Sequence, residues 1–180
     1  MYGSLVPFSS GVFLMKGSTF FQTVYNKDKG VLKGVSIMFK KILVSTDASE
    51  YSCHAFATAV DIAKQYNAKI IILHVVDKPD NFSYMGALIS GYALFSDDKI
   101  SEIGQQVIKD TIKGVDTKGV KMISKVSKGY AAAEILKEME NGIDLIVMGS
   151  RGHGPLKGAL TGSVTLNVLA QATCPVMVVK

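Results

Sequence analysis

The sequence has little of what marks a membrane protein, a nucleic-acid-binding protein or a metalloprotein. No stretch of about eighteen apolar residues occurs, which predicts that no segment spans a membrane. Arginine occurs once, as Arg151, and no dense basic stripe follows residue 37, so nucleic acid is a poor candidate for a partner. The two cysteines, Cys53 and Cys174, lack metal-ligand spacing. They are interpreted as buried reduced thiols, which favours a cytoplasmic protein.

Several widespread nucleotide and hydrolase motifs are also absent. A P-loop requires a lysine directly after its last glycine, whereas Lys157 precedes Gly158. A dinucleotide fingerprint requires a glycine three residues after Gly154, where Lys157 stands instead. The first predicted strand is not followed by a Ser-Gly-Gly-x-Asp-Ser loop, and the chain has no Gly-x-Ser-x-Gly elbow. The sequence therefore argues against these classes of enzyme.

The chain changes character at Met38. Residues 1–37 mix Gly, Ser, Phe and Tyr without a sustained period and hold +3 of the formal net charge of +5. We expect them to form a poorly ordered extension, or to lie upstream of a true start at Met38. Residues 38–180 carry the remaining charge of +2 and every periodic segment, and we expect them to form one domain.

From Met38 onward, apolar runs alternate with amphipathic segments. Strands are predicted at residues 41–45, 69–76, 120–126, 143–148 and 175–179, and helices at about 50–66, 96–116, 131–140 and 164–170. Ser49 is the predicted N-cap of the first helix. This alternation requires right-handed crossovers and predicts an open α/β fold with a parallel sheet. Ligands of such sheets bind outside the carboxyl ends of the strands, where the strand order reverses.

A glycine-dense loop at residues 149–163 is the most informative feature of the chain. It joins the predicted strand at 143–148 to the last helix, and it exposes backbone N–H groups that a phosphate can approach. Arg151 and Lys157 can add charge-assisted contacts, although Lys157 is also typical of a solvated side chain. The competing interpretation is a glycine-rich connection with no ligand. Asp47 is equally ambiguous from the residues alone, because Asp is common at the start of a helix.

Three segments together resemble the universal stress protein family. They are Met38–Ser49, the strand end Leu73–Val76, and the spacing Gly149-x2-Gly152-x9-Gly162-Ser163, which is similar to that of the family's ATP-binding branch. The resemblance covers nearly all of residues 38–180 and none of 1–37. It implies a Rossmann-like fold of the adenine nucleotide alpha hydrolase type. In that fold an open five-stranded parallel sheet has the order 3-2-1-4-5 and helices on both faces.

The resemblance also implies a set of nucleotide-binding positions. Ser45, Thr46 and Asp47 resemble the segment that lines the adenine and ribose, and the Val75 backbone resembles the group that meets the adenine edge. Asp47 is also implied as a ligand of the Mg²⁺ or Mn²⁺ that accompanies the nucleotide. The other implied positions are Met148, Gly149, Ser150, Arg151, Gly152, His153, Gly154, Gly162, Ser163, Val164 and Thr165. Serine at position 45 departs from a proline seen in some ATP binders.

We therefore expect a universal stress protein that binds ATP or another adenine nucleotide and acts as a regulatory module in a stress response. Its protein partner is not indicated by the sequence. The alternatives are a slow ATPase or autokinase, and a dimer whose loop binds another anion. Only His153 offers a general base near the γ-phosphate, which makes catalysis the minority interpretation. The apolar C-terminal segment 175–180 predicts a homodimer joined edge to edge.

Overall fold

A computed structural model describes residues 22–26, 31–35, 39–77, 97–153 and 161–180. The elements of these ranges, in chain order, are β1 (Gln22–Asn26), β2 (Val31–Val35), β3 (Lys41–Ser45), α1 (Glu50–Tyr66), β4 (Lys69–Asp77), α2 (Asp97–Ile112), β5 (Lys121–Gly129), α3 (Ala131–Met139), β6 (Leu145–Gly149), α4 (Ser163–Gln171) and β7 (Val176–Val179).

Strands β3 to β7 form one parallel sheet in the order β5-β4-β3-β6-β7. Numbered along the chain from β3, this order is 3-2-1-4-5, which confirms the predicted fold. The strand order reverses at β3, because β4 and β5 lie to one side of it and β6 and β7 to the other. Ligand sites of open α/β sheets lie at such a reversal.

The sheet is covered by helices on both faces. Side chains alternate along a strand, so neighbouring residues of β3 enter different layers of the core. Val44 packs with Phe56 of α1 and with α2 on one face. Leu43 packs with Ile135 of α3 and with α4 on the other. No helix in the described part of the chain is long and apolar enough to cross a lipid bilayer.

Most predicted element boundaries agree with the structure to within two residues, and two differ by more. Helix α2 ends at Ile112, four residues early, because Gly114 takes a left-handed conformation with φ of 84° that stops the helix. Strand β5 extends three residues beyond the prediction, to Gly129, because the longer β4 supplies pairing partners as far as Asp77.

Strands β1 and β2 form a separate antiparallel pair, with Gln22 opposite Val35. Neither strand was predicted, because this region of the sequence shows no sustained alternation of apolar and polar residues. Met38 lies outside the described residues, and the domain boundary at that position stays a prediction.

Candidate functional site

Two predicted site segments meet at the carboxyl edge of the sheet. Strand β3 pairs with β6, with Ser45 opposite Met148, so the residues that follow the two strands leave the sheet side by side. Asp47 and Gly149 were predicted to face each other if these strands were neighbours, and the pairing confirms that the strands are neighbours. The candidate site lies at this edge, at the point where the strand order reverses.

Asp47 joins the two segments directly. Its Oδ1 accepts a hydrogen bond from the Ser49 backbone N–H at 3.0 Å, and its Oδ2 accepts one from the His153 N–H at 3.0 Å. Burial alone would raise the pKa of the Asp47 carboxyl, but hydrogen bonds from Ser49, His153 and Ser52 outweigh burial and lower the pKa below its usual range. Asp47 is therefore a carboxylate at neutral pH that ties the loop to β3.

The turn between Asp47 and helix α1 determines the orientation of this carboxylate. Ala48 has a φ of 61°, a left-handed conformation that costs a residue other than glycine about 1–2 kcal/mol. The Ala48 N–H donates to Thr46 Oγ1 at 3.1 Å. Ser49 then begins α1 as its N-cap, accepting from the Ser52 N–H, as predicted. Local hydrogen bonds offset the strain in this turn.

Thr46 is directed into the protein. Its backbone N–H donates to Leu73 O at 2.9 Å, and its carbonyl accepts from His74 Nδ1 at 2.8 Å, so this nitrogen carries the proton. Its buried hydroxyl lies 3.1 Å from Ser52 Oγ and 2.7 Å from Thr111 Oγ1. Thr46 thus connects β3 to β4, α1 and α2. Ser52 and Thr111 were not identified from the sequence, because neither belongs to a predicted motif and Thr111 is also distant from Thr46 in the chain.

Two glycines of the loop have packing reasons for being glycine. A Cβ atom on Gly149 would lie 2.8 Å from the backbone carbon of Tyr51, so β6 can approach α1 only without a side chain there. A Cβ atom on Gly152 would contact Asp47 Oδ2. On Gly162 it would meet Arg151 Cα at 3.5 Å, an ordinary contact. Glycine density at this loop is thus partly a requirement of internal packing.

Helix α4 begins against the end of β6. The Gly162 N–H donates to Ser150 O at 2.8 Å, and the buried Thr165 hydroxyl donates to Gly149 O at 3.0 Å. Gly162 is the N-cap and provides no side-chain cap, while Ser163 is exposed. Val164 packs against the core on the α4 face. Of the three residues predicted to bind phosphate at this helix start, Ser163, Val164 and Thr165, only Ser163 has an exposed side chain.

Arg151 lies over the first turn of α1. Its guanidinium carbon is 5.8 Å from the ring centroid of Tyr51, within the range of a cation–π contact. Its Nε is buried and has no hydrogen-bond partner among the described residues. The Arg151 carbonyl accepts a long hydrogen bond, 3.5 Å, from the Ser49 hydroxyl. The side chain is therefore held by the Tyr51 ring.

The other predicted positions are distributed around this edge. Ser45 and Val75 are half-buried at the ends of β3 and β4, and the His153 side chain is exposed. Met148 is buried, so only its backbone could meet a ligand. Gly154 lies outside the described residues.

Within the described ranges, no group of three or more His, Cys, Asp or Glu side chains could hold a metal ion. Asp47 by itself fits the way proteins bind Mg²⁺ with a nucleotide, through one or two carboxylates, the phosphates and water. The residues present therefore suit a metal ion that arrives with a ligand.

Comparison with known proteins identifies relatives over the same residues. The sequence model of the universal stress protein family matches residues 38–180. Universal stress protein MJ0531 of Methanocaldococcus jannaschii is 34% identical over 151 residues, which cover 83% of this chain and 87% of that protein. YxiE of Bacillus subtilis is 35% identical over 151 residues, which cover 79% of this chain and 100% of that protein.

Solved structures agree with these matches. The structure of MJ0577, from the same archaeon, has a TM-score of 0.65 at 32% identity and covers 80% of this chain and 97% of its own. A universal stress protein in complex with cAMP (TM-score 0.55, 23% identity, 79% and 98% covered) and one from Archaeoglobus fulgidus in complex with dAMP (0.57, 16%, 80% and 100%) share the fold. The chain belongs to the universal stress protein family.

Proposed function

We propose that this protein binds an adenine nucleotide, with ATP as the main candidate, at the carboxyl ends of β3 and β6. The observation that carries the proposal is the hydrogen bond between Asp47 Oδ2 and the His153 N–H, 3.0 Å long. It brings an acidic strand end and a glycine loop together where the strand order reverses, which is the ligand position of open α/β sheets.

The start of α4 provides the donors that a phosphate needs. Gly162 leaves the first turn without a side-chain cap, and that turn holds no acidic residue. Unpaired N–H groups at a helix start attract anions, and the exposed Ser163 hydroxyl can add a donor. Two proteins of the same fold hold cAMP and dAMP, which supports an adenine nucleotide as the ligand class.

Any metal ion in this proposal arrives with the nucleotide. Mg²⁺ or Mn²⁺ would be held by the phosphates, by water and by Asp47, and it would neutralise phosphate charge beside that carboxylate. This assignment agrees with the carboxylate form that the lowered pKa of Asp47 maintains.

The biological role that we infer is regulatory. Nucleotide binding would shift the affinity for a protein partner in a stress response, since a ligand changes an equilibrium only through different affinities for two states. We infer a cytoplasmic protein, because Cys53 and Cys174 are free thiols. A homodimer through residues 175–180 completes the proposal.

The proposal is tested by thermal unfolding with ligands. ATP with Mg²⁺ at about a thousandfold its Kd should stabilise the fold by roughly 4 kcal/mol and raise the melting temperature. GTP should raise it less, because the backbone at Val75 is expected to read the adenine edge. Equal shifts with ATP, GTP and inorganic phosphate would contradict an adenine site, and no shift with any of them would contradict the whole proposal.

A further inference from the structure

Three lysines lie side by side at the amino edge of the sheet, opposite the edge that carries the candidate site. Lys41 begins β3, Lys69 begins β4 and Lys121 begins β5, and the strand register pairs Lys41 with Lys69 and Lys69 with Lys121. Neighbouring strands are about 4.7–4.9 Å apart, so this lysine row spans only about 10 Å. Strand pairing assembles the row from distant parts of the chain, and no basic stripe in the sequence indicates it.

The side chains of the lysine row point to one face of the sheet. Ile42 and Ile70, the next residues of β3 and β4, pack in the same layer as α1. Because side chains alternate along a strand, the lysines point to the opposite layer, which contains α3. The Lys41 side chain agrees with this direction, since its Nζ donates to Asn141 O, just after α3, at 2.7 Å. The lysine row therefore lies beside the last turn of α3.

The charge of the row is only partly neutralised by the described residues. Asp144 Oδ2 accepts the backbone N–H groups of Lys40 at 2.9 Å and of Lys41 at 2.8 Å, which places one carboxylate at the Lys41 end. Lys69 is half-buried and Lys121 is exposed, and neither forms an ion pair with another described residue. Like charges on neighbouring strands destabilise a sheet, and long lysine stems only reduce this cost. Retention of an unfavourable local arrangement is typical of a functional surface.

An exposed apolar side chain adjoins the lysine row. Ile123 lies two residues after Lys121 on the same face of β5 and is 39% exposed, whereas its register partner Ile71 is 4% exposed. A protein segment can present carboxylates and apolar side chains over such a short distance, while the backbone of a nucleic acid presents phosphates. The charge and the apolar contact together favour an acidic protein segment as the partner.

We propose that the lysine row and Ile123 form a docking surface for an acidic protein segment. Single exposed ion pairs contribute little to binding, but adjacent charges act as a network. Carboxylates of the partner would also relieve the repulsion that the free protein carries. The surface lies at the opposite edge of the sheet from the candidate site, so it is independent of the proposed nucleotide binding, and a partner and a nucleotide can bind together.

The test compares two double variants of the full chain. Lys69→Gln/Lys121→Gln removes two charges from the row. Lys109→Gln/Lys113→Gln removes two exposed charges from α2 and the turn after it, on the other face of the sheet, and is matched in net charge. Fluorescence anisotropy at low ionic strength measures binding of a labelled peptide of repeated Glu-Glu-Leu. The row variant should bind it at least about fivefold more weakly than the wild type, and the control within about twofold. Equal losses would show that net charge alone attracts the peptide and would overturn the docking surface.

Two further measurements test the kind of partner. The wild type should bind repeated Glu-Glu-Leu more tightly than repeated Glu-Glu-Ser, and Ile123→Ser should remove this preference, because it removes the apolar contact. A preference that persists in Ile123→Ser would overturn the role of Ile123. Tighter binding of double-stranded DNA or of phosphatidylserine vesicles than of either peptide would overturn the assignment to a protein segment.

Thermal unfolding provides a measurement that needs no partner. Because the row places like charges on neighbouring strands, Lys69→Gln/Lys121→Gln should raise the melting temperature by about 1–3 °C, and the control should change it by less than about 1 °C. An unchanged or lower melting temperature of the row variant would show that the lysines are not an unfavourable arrangement and would overturn the inference. ATP affinity tests the proposed function separately, since none of the four lysines belongs to the candidate site.

Discussion

Asp47 Oδ2 occupies the space that a Cβ atom on Gly152 would take. The loop after β6 can therefore lie against the end of β3 only because residue 152 has no side chain. The Asp47–His153 hydrogen bond depends on this close approach.

The first prediction concerns this contact. Gly152→Ala should displace the carboxylate from the His153 N–H, lower stability by about 1–3 kcal/mol and weaken ATP binding. Urea unfolding and calorimetry measure the two effects. Gly162→Ala is the control for stability, because its Cβ atom would make only an ordinary contact and its φ is −72°. Wild-type stability and affinity in Gly152→Ala would show that the contact is unimportant.

The second prediction concerns the buried hydroxyls around Thr46. Ser52 donates to Ser49 O and Thr111 donates to Val107 O, so Thr46 has one hydrogen for two acceptors. Thr111→Val should cost about 1 kcal/mol or less, because Thr46 can still donate to Ser52. Thr46→Val also leaves the Ala48 N–H without its acceptor and should cost about 2 kcal/mol. Denaturant unfolding measures the loss of stability in each variant. Equal losses in Thr111→Val and Thr46→Val would contradict this assignment of donors.

The third prediction concerns the contact between α2 and β5. A Cβ atom on Gly104 would lie 2.5 Å from Val126 Cγ1, so Gly104→Ala should destabilise the fold by about 1–3 kcal/mol despite alanine's better helix propensity. Val126→Ala removes the obstructing methyl groups. The double variant should recover part of the loss, which a double-mutant cycle measures as a favourable coupling. Additive effects of the two substitutions would show that the destabilisation by Gly104→Ala does not come from contact with Val126.

The fourth prediction concerns thiol reactivity. Burial raises the pKa of the Cys174 thiol from its ordinary value of 9.0 to about 11. At pH 8 the thiolate fraction should be about a hundredfold below that of an unperturbed cysteine, and alkylation of the folded protein should slow accordingly. In Cys53→Ser, Cys174 is the remaining cysteine. Its alkylation rate should rise as the pH increases toward 11 and should increase sharply when the protein unfolds. A rate like that of a free thiol at pH 8 would show that Cys174 is not shielded.

The fifth prediction concerns the proposed homodimer. Edge strand β5 carries Lys121, Lys125 and Lys128, and charged edges resist pairing. The other edge strand, β7, is Val176–Val179 and has no charge. Val178→Pro removes an N–H that points away from β6 and should yield a folded monomer in light scattering. Met177 lies on the side of the strand where Pro175 O and Val179 O accept from β6, so Met177→Pro would break the sheet itself. A folded Val178→Pro variant that remains a dimer would place the interface elsewhere.

The fold could be predicted largely because its signals are local. The apolar run at β4 and the Ser49 cap of α1 are readable in the sequence, and the structure reproduces both. The strand order was also predicted correctly, but from a family resemblance, because no spacing along the chain encodes it.

The candidate site was predictable only in outline. Asp47 and the glycine loop were found, but the bond from His153 to Asp47 joins residues 106 positions apart. Thr111, which contacts Thr46 across 65 positions, has no sequence signal at all. The glycines gave an ambiguous signal, because tight internal packing at Gly149 and ligand approach require the same residue.

The pairing of β3 with β6 also determines when the site can exist. During synthesis Asp47 is made long before the loop that completes the site. Strand β6 must then pair with β3 before Asp47 and His153 can form their hydrogen bond. Contacts of such long sequence separation form late and slowly in folding. A newly made chain can therefore acquire the site only after β6 has paired with its central strand, β3. Any ligand bound there would stabilise the finished sheet selectively, with no effect on partly folded chains.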